Sequence, residues 1–257
     1  MKRICVLGNS HAACFMAAWH AMSAEYQDIV DVRFFVLGGY ELGKLARDGS
    51  RLVVAEQALR EQLKNASGGF DEILPEDYDV FAIVSLTFGY RNLTELFSAY
   101  STLDISRGRD GVNYLSNSCM NDCVDEILEN SIGVRIRMLI GSVTEKPVIH
   151  FPAPCQSETA LLEKERQFLP LKATGELARF YSKFVERSSA QALKHGSTIV
   201  YQDDATMIAG GGYTLEQYSS GAVNSSMQLV GPSDTSHMNA DFGRLALNRI
   251  FSAAFGL

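Results

Sequence analysis

A serine near the start of the chain stands where a nucleophile would be expected. In the segment Ile4-Cys5-Val6-Leu7-Gly8-Asn9-Ser10-His11-Ala12, an apolar strand ends at Gly8, turns, and brings Ser10 to the start of a helix. The N-terminus of a helix carries partial positive charge and free backbone N–H groups, which stabilise an oxyanion that develops beside it. Serine is also a common helix N-cap, so this segment alone leaves a structural role open.

A carboxylate and a histidine near the other end of the chain could activate that serine. Asp234 precedes His237 by three residues. Asp234 could accept the Nδ1 proton and hold His237 in the tautomer whose Nε2 faces Ser10, which is the division of labour in a serine hydrolase triad. The alternative is a loop in which Asp234 or Asn239 caps the last helix and His237 is merely exposed.

The elements that must position these residues alternate between strands and helices. Short apolar runs at residues 4–7, 30–37, 80–86, 148–151 and 198–201 predict five strands. Segments of helical period predict helices at residues 11–23, 51–64, 122–140, 161–194 and 240–254, the fourth broken near Pro170. This alternation predicts an α/β fold, a three-layer α/β/α sandwich around a flavodoxin-like, doubly wound, five-stranded parallel sheet. In such folds, ligands bind beyond the carboxyl ends of the strands.

The length of the chain is typical of one domain. We expect a single unit over residues 1–257, with irregular insertions near residues 103–121 and 202–233. Long irregular segments often line binding sites, so at least one of them could contact substrate.

Composition excludes several classes of protein. The sequence is 46% hydrophobic and 21% charged, and no stretch has the ~20 apolar residues that a membrane span needs. A net charge of −7 over 257 residues makes nucleic acid an unexpected partner. Five cysteines without metal-site pairing predict reduced thiols. A serine triad requires no metal or organic cofactor, so we expect none. Because no secretion signal is evident, we expect a cytoplasmic protein; the sequence predicts no oligomeric state.

The two chemical segments together carry a family resemblance. Gly8-Asn9-Ser10-His11 after the first strand and Asp234-x-x-His237 before the last helix resemble the first and last sequence blocks of the SGNH/GDSL hydrolases. The first block of that family is usually Gly-Asp-Ser, so Asn9 departs from the commonest form. The following His11-Ala12 is similar to the Gly-Asp-Ser-His-Ala form of SGNH domains linked to carbohydrate O-acetylation.

The resemblance implies an oxyanion hole with three donors. They are the N–H of the nucleophile Ser10, a glycine after the second strand and an asparagine after the third. Gly39 matches the glycine, although glycines are common turn residues. The family pattern Gly-x-Asn-Asp aligns with Gly89-Tyr90-Arg91-Asn92 in this chain, so strict alignment puts Arg91 at the asparagine position. Asn92 could serve if the turn is one residue longer; otherwise it is a turn or capping residue.

Three further side chains are candidates for binding substrate. His11 adjoins the nucleophile, Arg91 could meet the oxyanion or an anionic part of the substrate, and His150 ends the fourth strand. The alternatives are that His11 caps its helix and that His150 bonds to a neighbouring loop.

The resemblance implies a serine esterase that acts on a small-molecule or glycan ester, including O-acetyl groups on a carbohydrate. Ser10 would form an acyl-enzyme that water hydrolyses. Two alternatives remain open: a carbohydrate O-acyltransferase with the same triad, and a glycan-binding or assembly protein whose third block has decayed. A flavodoxin-like nucleotide-binding domain is disfavoured because no phosphate loop follows a strand.

Overall fold

The computed structural model describes residues 1–26, 28–106, 110–163, 169–224, 227–231 and 234–257. The strands are β1 (Lys2–Gly8), β2 (Val30–Val36), β3 (Leu45–Asp48), β4 (Arg51–Val54), β5 (Glu72–Ile73), β6 (Val80–Val84), β7 (Tyr100–Ser101), β8 (Asn113–Tyr114), β9 (Val148–Phe151) and β10 (Thr198–Ile199). The α-helices are α1 (Ala13–Tyr26), α2 (Gln57–Ser67), α3 (Thr94–Ala99), α4 (Asn117–Glu129), α5 (Ile132–Gly141), α6 (Thr159–Glu163), α7 (Leu169–Thr174), α8 (Glu176–Lys194) and α9 (Ala240–Phe255).

Five parallel strands form the central sheet in the order β10-β9-β6-β1-β2. Counted along the chain, this is the 2-1-3-4-5 order of flavodoxin-like folds, so the predicted fold class is confirmed. The strand β1 lies between β2 and β6, and Gly8 at its end pairs with Val36 on one side and Val84 on the other. The segments that follow these three strands therefore leave the sheet side by side.

Both faces of the sheet are buried, which explains why its strands are apolar without alternation. Ile4 and Val6 of β1 face α1 and α9 in one core cluster. Cys5 and Leu7 of the same strand face α2, α5 and the β3–β4 hairpin in another. A third cluster joins α3, α4 and α8. No helix among the described ranges is both long and apolar enough to cross a membrane.

The predicted helix at residues 51–64 is wrong in its first part. Residues Arg51–Val54 form β4, which pairs antiparallel with β3 through a two-residue turn at Gly49 and Ser50. Gly49 has a φ of +64°, the conformation that tight hairpin turns require. The helix itself begins only at Gln57. The apolar residues of the hairpin fit a helical period, and tertiary pairing decides between the two structures.

The other predicted helices differ at their ends. The prediction at residues 122–140 divides into α4 and α5 because the Ser131 hydroxyl accepts the Val134 N–H and starts a new helix. In the fourth predicted helix, α6 ends at Glu163 and α7 begins at Leu169 with Pro170 in its first turn, and the chain turns again at Gly175, where φ is +74°. Residues 164–168 of that prediction lie outside the described residues.

Candidate active site

A pocket of about 760 Å³ opens at the edge of the sheet where the parallel strands end. Its lining follows four strands, β1, β2, β6 and β9, and consists of Asn9, Ser10, His11, Gly39, Tyr40, Ser85, Thr87, Arg91, Asn92, Thr94, Glu95, Ser98, Ala153 and Gln156. This is the edge at which doubly wound sheets bind ligands. Among the described residues, neither irregular segment, 103–121 or 202–233, contributes to this lining, so the contact expected of them is not found.

Ser10 reaches the pocket with its hydroxyl free. It begins a short 3₁₀-helix, Ser10–Ala12, directly after β1. The N-cap is Asn9, whose side-chain oxygen accepts the His11 N–H at 3.1 Å. A Cβ on Gly8 would lie 2.7 Å from the Cβ of Ala12, so glycine is required for this tight turn. The capping role left open for Ser10 therefore belongs to Asn9, and the Ser10 hydroxyl bonds to none of the described residues.

Asp234 and His237 form a hydrogen-bonded pair. The Nδ1 of His237 lies 2.7 Å from Oδ2 of Asp234. The other carboxylate oxygen accepts the N–H groups of Ser236, at 2.8 Å, and of His237, at 3.0 Å. Burial raises the pKa of Asp234, but the hydrogen bonds from Ser236 and His237 outweigh it and lower the pKa overall. The carboxylate is thus ionised at neutral pH and holds the imidazole by Nδ1.

The loop that carries this pair is anchored at the start of α9. Asn239 caps the helix by accepting the Phe242 N–H at 3.2 Å, and its Nδ2 donates to the carbonyls of Gln217 and Ser220. Met238, one residue after His237, is buried in the core. Asn239 is therefore the cap, Asp234 is left to hold His237, and the imidazole is only 18% exposed.

Helices α9 and α1 bring the two ends of the chain together. A Cβ on Gly243 of α9 would lie 2.0 Å from the carbonyl oxygen of Cys14 in α1. The helices can pack this closely only because residue 243 has no side chain. Since Ser10 precedes α1 and His237 precedes α9, this contact sets the two segments next to each other.

His11 connects the histidine loop to the pocket. Its ring stacks on that of His237, with centroids 5.4 Å apart and planes inclined by 24°. His11 lines the pocket, whereas His237 lies behind that stack and outside the lining. The Nε2 of His237 is buried and has no hydrogen-bond partner among the residues that the structure describes, Ser10 included. The Nε2 atom of His237 is therefore free to accept a proton beside the segment that carries Ser10.

The charge state of His11 follows from its surroundings. Burial lowers the pKa of His11 to about 4, assisted by the positive charge of His237, when protonated, and of Arg91. A bond to the Ser236 backbone and the charge of Asp234 oppose this shift without reversing it. His11 is therefore neutral at pH 7.

The predicted oxyanion-hole residues all reach the pocket. Gly39 follows β2 with a φ of +56° and has no atom within 4 Å of the position of a Cβ. Arg91 and Asn92 lie in the 3₁₀-helix Tyr90–Leu93. The Arg91 Nη1 donates to the Ser236 hydroxyl at 2.9 Å, so its guanidinium holds the histidine loop. Gly39, Arg91 and Asn92 therefore all line the pocket, and the guanidinium of Arg91 is already hydrogen-bonded to Ser236.

His150 does not reach the pocket. Ile149 and Phe151 of β9 face α1 and α9, so His150 between them points to the opposite face of the sheet. It is 2% exposed, and its ring lies 5.0 Å from that of Phe88. Burial, then the charges of Arg137 and His195, lower its pKa to about 3. The substrate contact expected of His150 is therefore not found. Successive side chains of a strand point to opposite faces of the sheet, and that of His150 points into the core.

Several lining residues carry no sequence signal of their own. Ser85 and Thr87 directly follow β6, and Glu95 and Ser98 lie on α3. Ser85 falls inside the apolar run 80–86 that the sequence predicts as a strand, so its place after β6 had no sequence signal. Among the described residues, no group of three or more His, Cys, Asp or Glu side chains is arranged to hold a metal.

The fold and the site define the class of the protein. It is a doubly wound α/β/α protein with a polar pocket at the carboxyl edge of its sheet; Ser10 lines that pocket, and the Asp234–His237 pair lies behind His11.

Seven solved chains are similar to this chain, and two of them illustrate the likeness. The crystal structure of an extracellular lipase from Streptomyces rimosus is 11% identical, covers 99% of this chain and 100% of its own, and has a TM-score of 0.46. A DUF4886 family protein from Bacteroides uniformis is also 11% identical, covering 100% of this chain and 83% of its own, with a TM-score of 0.45. No family model and no curated protein matches the sequence.

Proposed function

We propose that this protein is a serine ester hydrolase in which Ser10 is the nucleophile, His237 the general base and Asp234 the residue that orients the base. The observation that carries the proposal is the Asp234–His237 pair, held by Nδ1, with Nε2 buried and without a partner. An imidazole held in this way has its second nitrogen available to accept a proton. The free hydroxyl of Ser10 in the adjoining pocket supplies that proton.

The reaction follows from these groups. Ser10 Oγ attacks the ester carbonyl while its proton passes to His237 Nε2, and the imidazolium is stabilised by the Asp234 carboxylate. The oxyanion of the tetrahedral intermediate accepts hydrogen bonds from the N–H groups of Ser10 and Gly39 and from the Asn92 amide. His237 then gives its proton to the leaving alcohol. Water, deprotonated by His237, hydrolyses the acyl-enzyme and frees Ser10.

The lining of the pocket supports a hydroxylated alcohol as the leaving group. Hydroxyl, amide and charged side chains provide most of the lining, and Ala153 is its one aliphatic side chain among the described residues. A long hydrocarbon chain would leave these polar groups unpaired, which costs free energy. A sugar would pair with them. We therefore propose carbohydrate esters, including O-acetyl sugars, as the substrate class.

Acyl transfer to a sugar hydroxyl is the second candidate, and the same polar lining favours it, because an acceptor sugar could occupy the space that admits water in a hydrolase. Both reactions share the acyl-enzyme. Product analysis of an O-acetyl sugar, incubated with and without a second sugar, separates them: free acetate identifies the hydrolase, and acetylated acceptor identifies the transferase.

The test of the proposal is covalent labelling together with hydrolysis. Wild-type protein, Ser10→Ala, His237→Ala and the control Ser142→Ala, an exposed serine outside the pocket, are treated with a fluorophosphonate and weighed intact. We expect one adduct at Ser10 in wild type and control, none in Ser10→Ala and slowed labelling in His237→Ala. Hydrolysis of p-nitrophenyl acetate should follow the same order. If the folded wild-type protein binds glycans but is not labelled by the fluorophosphonate and does not hydrolyse the ester, it is a glycan-binding protein instead.

A further inference from the structure

Ser85 stands beside the nucleophile segment on the neighbouring strand. The strands β6 and β1 are paired with Val84 opposite Gly8, so Ser85 and Asn9 leave the sheet together, one residue before Ser10. Ser85 lines the same pocket as Ser10 and is 2% exposed. A serine thus directly follows β6, the third strand of the central sheet along the chain, at the start of the segment in which the resemblance implies a side-chain donor.

The hydroxyl of Ser85 is free although its backbone is fixed. Its N–H donates to the carbonyl of Phe151 at 2.8 Å, and its carbonyl accepts the Phe88 N–H at 3.1 Å. Its Oγ makes no hydrogen bond to any of the described residues. A nearly buried hydroxyl that opens only onto a pocket has its proton available for a ligand.

The backbone at Ser85 is held in a conformation that side chains rarely adopt. Ser85, Leu86 and Thr87 have φ angles of 66°, 53° and 62°, three left-handed residues in succession. The start of α5 holds them: Gly133 N–H donates to the Leu86 carbonyl, and Ile132 N–H donates to the Thr87 hydroxyl, both at 2.8 Å. Strain of this kind persists only where the surroundings enforce it, and it clusters at functional sites.

We propose that the Ser85 hydroxyl donates a hydrogen bond to the oxyanion formed when Ser10 attacks an acyl group. This inference rests on the proposed function and adds a donor to it. Strict alignment with the family pattern puts Arg91 where the asparagine donor would be, and the Arg91 guanidinium is bonded to Ser236. The Ser85 hydroxyl thereby supplies a side-chain donor that this position lacks. The hydroxyl keeps its proton throughout, so the step transfers no charge and needs no other reactant.

The experiment compares two substitutions of Ser85 with a matched control. Ser85→Ala removes the hydroxyl and keeps a Cβ, whereas Ser85→Gly also relieves the left-handed backbone. Ser106→Ala is the control, because Ser106 is likewise 2% exposed with an unpartnered hydroxyl but lies outside the pocket. For p-nitrophenyl acetate we measure kcat and KM, for fluorophosphonate the rate of labelling at Ser10, and for each variant the melting temperature.

Loss of an oxyanion donor has a distinct signature. We expect kcat to fall about a hundredfold in both Ser85 variants with little change in KM, and labelling to slow in parallel. Ser85→Gly should melt no lower than wild type, so activity and stability separate. Ser106→Ala should match wild type.

The outcomes that overturn the inference are separable from failure of the proposed function. If both Ser85 variants hydrolyse the ester and label as fast as Ser106→Ala, Ser85 is no donor and the inference alone is overturned. If activity falls only in step with melting temperature, the role of Ser85 is structural and the inference is likewise overturned. If wild type neither labels nor hydrolyses, the proposed function is overturned, and the inference with it.

Discussion

The imidazole of His11 stacks on that of His237, with ring centroids 5.4 Å apart and planes inclined by 24°, although the two residues are far apart in the sequence. Only His11 of this pair lines the pocket. The stack supports the face of the His237 ring, whereas Asp234 holds its edge at Nδ1. His11 is thus a positioning residue for the proposed base.

Removal of the stacking ring should misplace the base. We expect His11→Ala to lower kcat/KM about tenfold, equivalent to about 1.4 kcal/mol of transition-state stabilisation, and His11→Phe, which keeps a flat ring, to lose less. Steady-state hydrolysis of p-nitrophenyl acetate measures this. Equal losses in the two variants would contradict a role in stacking.

The same pair predicts the shape of the pH profile. Because the pKa of His11 is lowered to about 4, His11 is neutral above about pH 5 and takes up no proton there. Log kcat/KM should therefore fall with a slope no steeper than one as pH decreases towards about 5. A slope of two would show that both rings take up protons in this range.

Substitution of Asp234 tests whether this residue orients His237, without unfolding the protein. In Asp234→Asn, the side-chain oxygen can still accept the Ser236 and His237 N–H groups, but an amide cannot stabilise the imidazolium. We expect kcat to fall by ~10³–10⁴ with little change in melting temperature. Asp241→Asn, at an exposed aspartate in the first turn of α9, is the control and should retain full activity.

Gly243 should couple stability to activity. A methyl group there would meet the Cys14 carbonyl at 2.0 Å, so Gly243→Ala forces α9 away from α1. We expect a loss of about 1–3 kcal/mol in the free energy of unfolding, together with reduced hydrolysis as the His237 loop shifts. Urea unfolding and ester hydrolysis measure the two effects. Ser252→Ala, on the exposed face of the same helix, should change neither.

His150 should make the protein sensitive to acid. Its pKa falls from 6.5 in the unfolded chain to about 3 in the folded protein, so the unfolded state binds more protons between these values. The histidine therefore favours unfolding as pH drops, by about 1.4 kcal/mol per unit, starting near pH 6.5 and ending near pH 3. Urea unfolding of wild type and His150→Leu across this range should show a flatter dependence in the variant.

The sequence predicted the sheet, its strand order and the edge at which the pocket lies, because apolar runs and the residues after them carry that information. The β3–β4 hairpin was missed since Arg51–Val54 continue into a helix with the same period of apolar residues. Ser85 was missed because residues 80–86 were predicted as one strand, whereas β6 ends at Val84 and leaves Ser85 in the segment that follows it. Its left-handed backbone, without a glycine at Ser85, Leu86 or Thr87, depends on contacts with α5 that lie far along the chain.

The departure at Asn9 shows what sequence patterns omit. As a deviation from Gly-Asp-Ser it had no assigned role, yet its side chain caps the helix that carries Ser10. Asparagine and aspartate are equally good N-caps, so either residue can hold this turn.

The close packing of α1 and α9 bears on when the site can first exist. Ser10 follows β1 and therefore leaves the ribosome before His237 and α9, which lie far along the chain. A nascent chain that already displays Ser10 therefore lacks the base that would activate it. The Ser10 and His237 segments come together only after α9 packs against α1 at Gly243. The reactivity of Ser10 would therefore report when this packing has formed during folding.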